Sequence, residues 1–153
     1  FGEFTLLAYQ DHVHRDVHLA LVRGTIAADG RAPLVRVHLT DTLRDVLGLG
    51  GQGRHWTLRA AMQRIAREGT GVIVILREAE TPRQLADAVR ALAQAESGGS
   101  GAQEGGTVLR TYGIGAQILK DVGVRRMRVL SAPKQLHGLS AFDLEVESYV
   151  EGD

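Results

Sequence analysis

The 153 residues are 44% hydrophobic, enough for one compact domain with its own core. Eighteen basic residues balance eighteen acidic ones and aromatic rings make up only 5%, which excludes a charge-driven binder of nucleic acid or acidic membrane. There is no cysteine to build a disulfide scaffold, no apolar run near the ~20 residues that cross a bilayer, and no signal-peptide pattern, so a cytoplasmic location is expected.

In chain order, Gly2 to Tyr9 is predicted as a strand, with Val17-His18-Leu19-Ala20-Leu21-Val22 as its partner. The polar segment Gln10 to Asp16 is the hairpin connection. Thr25-Ile26-Ala27 is expected to continue or branch from that sheet. Ala28-Asp29-Gly30-Arg31 is a turn, because Asp supplies a side-chain acceptor and Gly a positive φ. Leu34-Val35-Arg36-Val37-His38 alternates as a half-buried strand.

Trp56 to Glu68 predicts a helix, with Leu58, Ala61, Met62 and Ile65 on one face and Gly69 as its left-handed cap. The unbroken run Gly71-Val72-Ile73-Val74-Ile75-Leu76 predicts a strand buried on both faces. A second helix begins at Thr81-Pro82, with Gln84 completing a capping box and Leu85, Val89 and Leu92 as the apolar stripe. Glu96 to Thr107 is glycine-rich and is expected to be a mobile surface loop. Ile114, Ile118, Leu119 and Val122 form a helical face ending at Gly123. Met127 to Leu130 and Leu144 to Val150 are the closing strands. The fold class is α/β: a mixed β-sheet with interleaved helices.

The segment from Val37-His38-Leu39-Thr40-Asp41 to Trp56, with Leu58-Arg59-Ala60-Ala61-Met62 after it, resembles the metal-binding segment of GTP cyclohydrolase II. Leu109-Arg110-Thr111-Tyr112-Gly113-Ile114-Gly115-Ala116-Gln117-Ile118-Leu119, followed by Gly123-Val124 and Met127 to Ser131, is similar to the version of that domain fused to 3,4-dihydroxy-2-butanone 4-phosphate synthase. The resemblance covers nearly the whole chain. It implies a GTP cyclohydrolase II-like fold over residues 1–153 as a single domain. With Phe1 in place of Met, that domain is read as the C-terminal portion of a longer fusion protein of riboflavin biosynthesis.

The family's reaction opens the imidazole ring of GTP through zinc-activated water. Its metal is held by one cysteine and a later Cys-Asp-Cys element. Those three cysteine positions fall on Asp41, Gln52 and Arg54, and a carboxylate, an amide and a guanidinium are not a zinc quota. The resemblance therefore implies no metal site and no cofactor. The family's GTP-contacting Glu-Gly-Arg element falls on Ala79, Glu80 and Thr81, its catalytic tyrosine on Leu92, and its catalytic Asp-x-Arg pair on Val108 and Arg110. Arg110 thus keeps a catalytic position, while Arg36, His38 and Lys134 keep substrate-contact positions. Each of those three has a plain structural explanation: an edge-strand charge, a core-side imidazole and a solvated loop lysine.

Two other features invite chemistry. Asp11-His12-Val13-His14-Arg15-Asp16-Val17-His18 gathers imidazoles and carboxylates, yet a polar hairpin tip accounts for it better than a metal site. The glycine-rich Gly48–Gly53 and Gly98–Gly101 segments lack the lysine and the strand-turn-helix frame of a phosphate loop. The expectation is a domain kept for its shape, a structural or regulatory partner of a companion synthase domain in the same chain, forming homodimers. The alternatives are an altered hydrolase using Arg110, His38 and a metal at Asp41, or a sensor of GTP or a related nucleotide.

Overall fold

The structure is a computed structural model that describes residues 1–26, 28–49, 56–96, 107–133 and 139–152, with backbone alone for 95–96 and 107–110. The chain runs β1 (Thr5–Gln10), β2 (Val17–Arg23), β3 (Leu34–Leu39), a single π turn (Thr42–Val46), α1 (Leu58–Glu68) and β4 (Gly71–Leu76). It continues through α2 (Pro82–Glu96), α3 (Thr107–Val122), β5 (Arg126–Leu130), a short 3-10 turn (Leu139–Phe142) and β6 (Glu145–Val150).

All six strands join one sheet in the order β1-β2-β4-β3-β5-β6. The β1–β2 and β2–β4 contacts are antiparallel, and the remaining three are parallel. Every residue of β4 is buried, and its side chains alternate between two cores. Val72, Val74 and Leu76 join Val35, Ala116, Ile118 and Leu119 on the α3 face. Ile73 and Ile75 join Leu34, Ala61, Ile65 and Leu130 on the α1 face. A strand covered on both sides needs apolar residues at every position, which is why its sequence does not alternate.

Local chemistry sets the ends of the elements. Thr57 caps α1 by accepting from the Ala60 N–H at 3.1 Å, and Gly69 closes it at φ +86°. The Thr81–Gln84 box opens α2 reciprocally: Gln84 Oε1 accepts from the Thr81 N–H at 2.8 Å, and Thr81 Oγ1 from the Gln84 N–H at 3.2 Å. The first hairpin is as expected, and the Tyr9 hydroxyl donates to Asp121 at 2.8 Å, tying it to α3.

Three expectations are corrected. Thr25 and Ile26 do not extend the sheet; Gly24, at φ +68°, turns the chain away, and Ile26 packs beside the α3-face core instead. Ala27 lies outside the described residues. The third helix starts at Thr107, which the sequence placed in the glycine-rich loop. Buried Gly115 lets the helix approach Val37 and Leu76 of the sheet. On α2, Leu85 and Leu92 are half-buried but Val89 is 50% exposed, because this helix lies against the π turn rather than spanning the sheet. The expected loop residues 97–106 lie outside the described residues.

Two outcomes follow from this packing. A Cβ at Gly71 would sit 2.7 Å from the Leu34 carbonyl and 2.9 Å from Ile65, so Gly71→Ala is expected to cost about 1–3 kcal/mol in urea unfolding. An unchanged midpoint would refute that crowding. Glu68 ends α1, where the helix dipole disfavours a carboxylate, and Arg128 bonds it at 2.6 Å. That hydrogen bond holds its carboxyl below the ordinary value of 4.5, so its stabilisation is complete above 4.5 and is lost as pH falls through the depressed value. Unfolding titrations should show the gap between wild type and Glu68→Gln closing in acid; a gap independent of pH would disprove the linkage.

Candidate functional site

The carboxyl ends of β3 and β4 meet the π turn and the β4–α2 connection, and most of the chemistry-bearing residues lie there. His38, near the end of β3, is 6% exposed. Its Nε2 faces both oxygens of Asp45, at 2.9 and 3.0 Å. Asp45 comes from the π turn, and its Oδ2 also accepts from the Asp41 N–H at 3.0 Å. Asp41 answers by accepting from the Arg44 N–H at 3.0 Å through Oδ1, while its second oxygen lies 3.7 Å from the Arg44 guanidinium. The two carboxylates therefore close the amino end of the turn reciprocally, as in a capping box, and Leu43 between them is buried. This turn is too short and too irregular to register as helical periodicity in the sequence.

Arg36 lies two residues before His38 on the same strand. β3 is flanked by β4 and β5, so this is an internal strand, not the edge that would make Arg36 a surface charge. Arg36 instead donates to the Leu130 carbonyl at 2.9 Å and to the Trp56 carbonyl at 3.2 Å. Burial lowers its pKa, with Tyr112 and Asp45 opposing the shift and Arg44 adding to it. A guanidinium starting so high remains a cation. It serves as a clamp from the sheet to the segment that leads into α1.

Across the cleft, the Thr42 hydroxyl donates to Glu80, joining the π turn to the β4–α2 connection. Thr81 is spent on the α2 cap. Leu92 lines a cavity of about 200 Å³ with Asp41, Leu43, Arg44, Leu49, Ala88 and Ala91. Arg36, His38 and Asp41 are thus gathered at one end of the sheet. Arg110 lies on the first turns of α3, with only its backbone described. Lys134, Gln52 and Arg54 lie outside the described residues.

Sequence reasoning missed Asp45 and the Thr42–Glu80 bond. The Asp41/Asp45 spacing, an acid at a cap and another in the first turn after a strand, was the available signal for Asp45. The histidine-rich hairpin separates into unrelated parts. His14 pairs with Asp11 at 3.1 Å, while His18 is 3% exposed and accepts from the Arg77 N–H at 3.1 Å. Among the described residues, no group of three or more His, Cys, Asp or Glu is arranged to hold a metal ion. No helix among them is long and apolar enough to cross a membrane.

Comparison with known proteins adds a lineage. A family model described as GTP cyclohydrolase II matches residues 1–151. A Pseudomonas aeruginosa protein named 3,4-dihydroxy-2-butanone 4-phosphate synthase is 44% identical over 152 residues, which cover 99% of this chain and 40% of that protein. A Bacillus cereus protein named Riboflavin biosynthesis protein RibBA is 37% identical over 152 residues, covering 95% of this chain and 38% of that one. A crystal structure of RibBX from A. baumannii, titled a two domain 3,4-dihydroxy-2-butanone 4-phosphate synthase, superposes with a TM-score of 0.62 at 31% identity. That match covers 96% of this chain and 35% of the other. The chain spans about 40% of the length of the curated relatives it matches.

The capping role of Asp45 has a measurable consequence. Asp45→Ala leaves a buried imidazole nitrogen and the Asp41 N–H without their acceptor, an expected loss of about 1–3 kcal/mol in denaturant unfolding. Asp45→Asn, which keeps an acceptor oxygen, should lose less. If Asp45→Ala costs no more than Asp87→Ala on the exposed face of α2, the carboxylate is not holding the turn.

Proposed function

The chain belongs to the GTP cyclohydrolase II family, and from that premise we propose that it is a version without the family's zinc hydrolysis, serving as a structural or regulatory partner of a 3,4-dihydroxy-2-butanone 4-phosphate synthase domain in riboflavin biosynthesis. One observation carries the reading: Asp41, at the first family ligand position, has its carboxylate engaged as the cap of the π turn. The other two ligand positions bring the Gln52 amide and the Arg54 guanidinium. A neutral amide is a poor zinc ligand, and a guanidinium has no lone pair to give and repels a cation. This donor set does not fit zinc, and no hydrolytic step is assigned to it.

The surrounding residues support the same conclusion. Where a phosphate clamp would need a cation, Glu80 presents a carboxylate and holds it against Thr42. Where a catalytic hydroxyl would stand, Leu92 lines an apolar wall. His38 and Arg36 keep family substrate positions, but they bond to Asp45 and to two backbone carbonyls of this chain. These contacts brace β3 against the elements that follow it. The names of the relatives support the pathway and the companion, and a homodimer is part of the proposal. Cytoplasmic location belongs to it as well.

The full-length protein provides the test. Metal analysis should find zinc well below one per chain, incubation with GTP should release no formate, and deleting this domain should change the kinetics or assembly of the companion synthase. Stoichiometric zinc with formate release would overturn the proposal. Saturable GTP binding without turnover would replace it with nucleotide sensing.

A further inference from the structure

The opposite end of the sheet carries a second constellation that the family site does not use. At the amino ends of β3, β4 and β5 a cavity of about 350 Å³ is lined by Gly30, Arg31, Ala32, Glu68, Arg126, Arg128 and Glu147. Arg126 and Arg128 alternate along β5 and reach across to carbonyls that are also two residues apart. Arg126 Nη2 donates to the Gly30 carbonyl at 3.1 Å, and Arg128 Nε donates to the Ala32 carbonyl at 2.9 Å. The Arg128 N–H donates to Pro33 at 2.9 Å, so the segment before β3 is tied to β5 through both backbone and side chains. The Asp29 carboxylate accepts from the Arg31 N–H at 3.1 Å, shaping the turn that places Arg31 at the rim.

The Arg126 and Arg128 guanidinium groups are held in position but far from saturated. A guanidinium offers five N–H donors. Arg128 spends one on Ala32 and another on Glu68 at 2.6 Å. Arg126 spends one on Gly30, and its approach to Glu147 at 3.8 Å is too long for a hydrogen bond. The Arg31 side chain makes no hydrogen bond or ion pair among the described residues. Glu68 is already committed, to Arg128 and to Arg64 at 3.7 Å. The strand register jumps between Met127 and Arg128, which leaves Glu147 as the extra residue of a bulge. That bulge places at the cavity a carboxylate that is 49% exposed and only loosely held.

Three cations therefore face one cavity against one committed and one loosely held carboxylate, in a chain whose overall charge is zero. We propose that this cavity binds a phosphate group, free or as the monoester of a small molecule. A tetrahedral dianion accepts more donors than a carboxylate and matches the fork geometry of arginine. Because backbone carbonyls already hold Arg126 and Arg128, less side-chain entropy is lost on binding. The ligand displaces Glu147 from Arg126 and leaves the Glu68–Arg128 pair intact. The volume exceeds that of a bare phosphate and leaves room for an organic portion.

Calorimetric titration of the protein at low ionic strength with inorganic phosphate and with phenyl phosphate tests this directly. Saturable binding of at least one is expected; a tighter monoester assigns the remaining volume to an organic moiety, and equal affinities assign the site to free phosphate. Arg126→Ala and Arg31→Ala should each weaken binding about tenfold. Glu147→Gln, which removes the competitor, should tighten it, and a gain cannot arise from misfolding. Arg90→Ala deletes an exposed cation on α2 and should change nothing. No saturable binding, or an Arg90→Ala loss equal to that of Arg126→Ala, overturns the proposal. Neither result depends on whether the family site retains zinc.

Discussion

The rest of the structure depends on the burial of β4. A strand with both faces in apolar cores cannot exist without a helix on each side and a strand at each edge, and the chain supplies all four. α1 delivers Ala61 and Ile65 to one face, and α3 delivers Ala116, Ile118 and Leu119 to the other. The antiparallel β1–β2 hairpin covers one edge of β4 and the parallel β3 covers the other. Because β3 and β4 are parallel and joined through α1, their carboxyl ends emerge side by side. This is where parallel sheets gather loops able to carry function.

What those loops now hold is a set of polar groups bonded to one another. Asp41 and Asp45 cap the π turn, His38 completes the Asp45 contacts, and Thr42 and Glu80 join the two sides of the cleft. A carboxylate accepting a backbone N–H at a turn is a stabilising device, and it leaves Asp41 with one oxygen for a metal, on the side that faces the Arg44 guanidinium. Family position and local structure thus compete for Asp41. The observed geometry favours the turn, which is the physical basis of the functional proposal.

The amino ends of the same strands show a different economy. There the arginines of β5 bind carbonyls of the segment before β3, and that fixes cations in place while leaving donors open. At one end of the sheet the carboxylates are bonded to their own turn and to His38, while the other end is cationic with spare capacity.

The sequence by itself determined what depends on neighbouring residues. The cap at Thr57, the left-handed Gly69, the Thr81–Gln84 box, the hairpin and the continuous apolar run of β4 are all local chemistry, and all are found where the residues place them. It also marked Arg36, His38 and Asp41, through a resemblance carried by blocks that build the core. Only the tertiary structure decided that β3 lies inside the sheet, that Thr25 and Ile26 leave it, and that α2 lies on the π turn. It alone joined Arg36 to Leu130 and Arg126 to Gly30, partners about a hundred residues apart. Such contacts are selected by strand order and by which face each side chain takes, and no short stretch of chain encodes either.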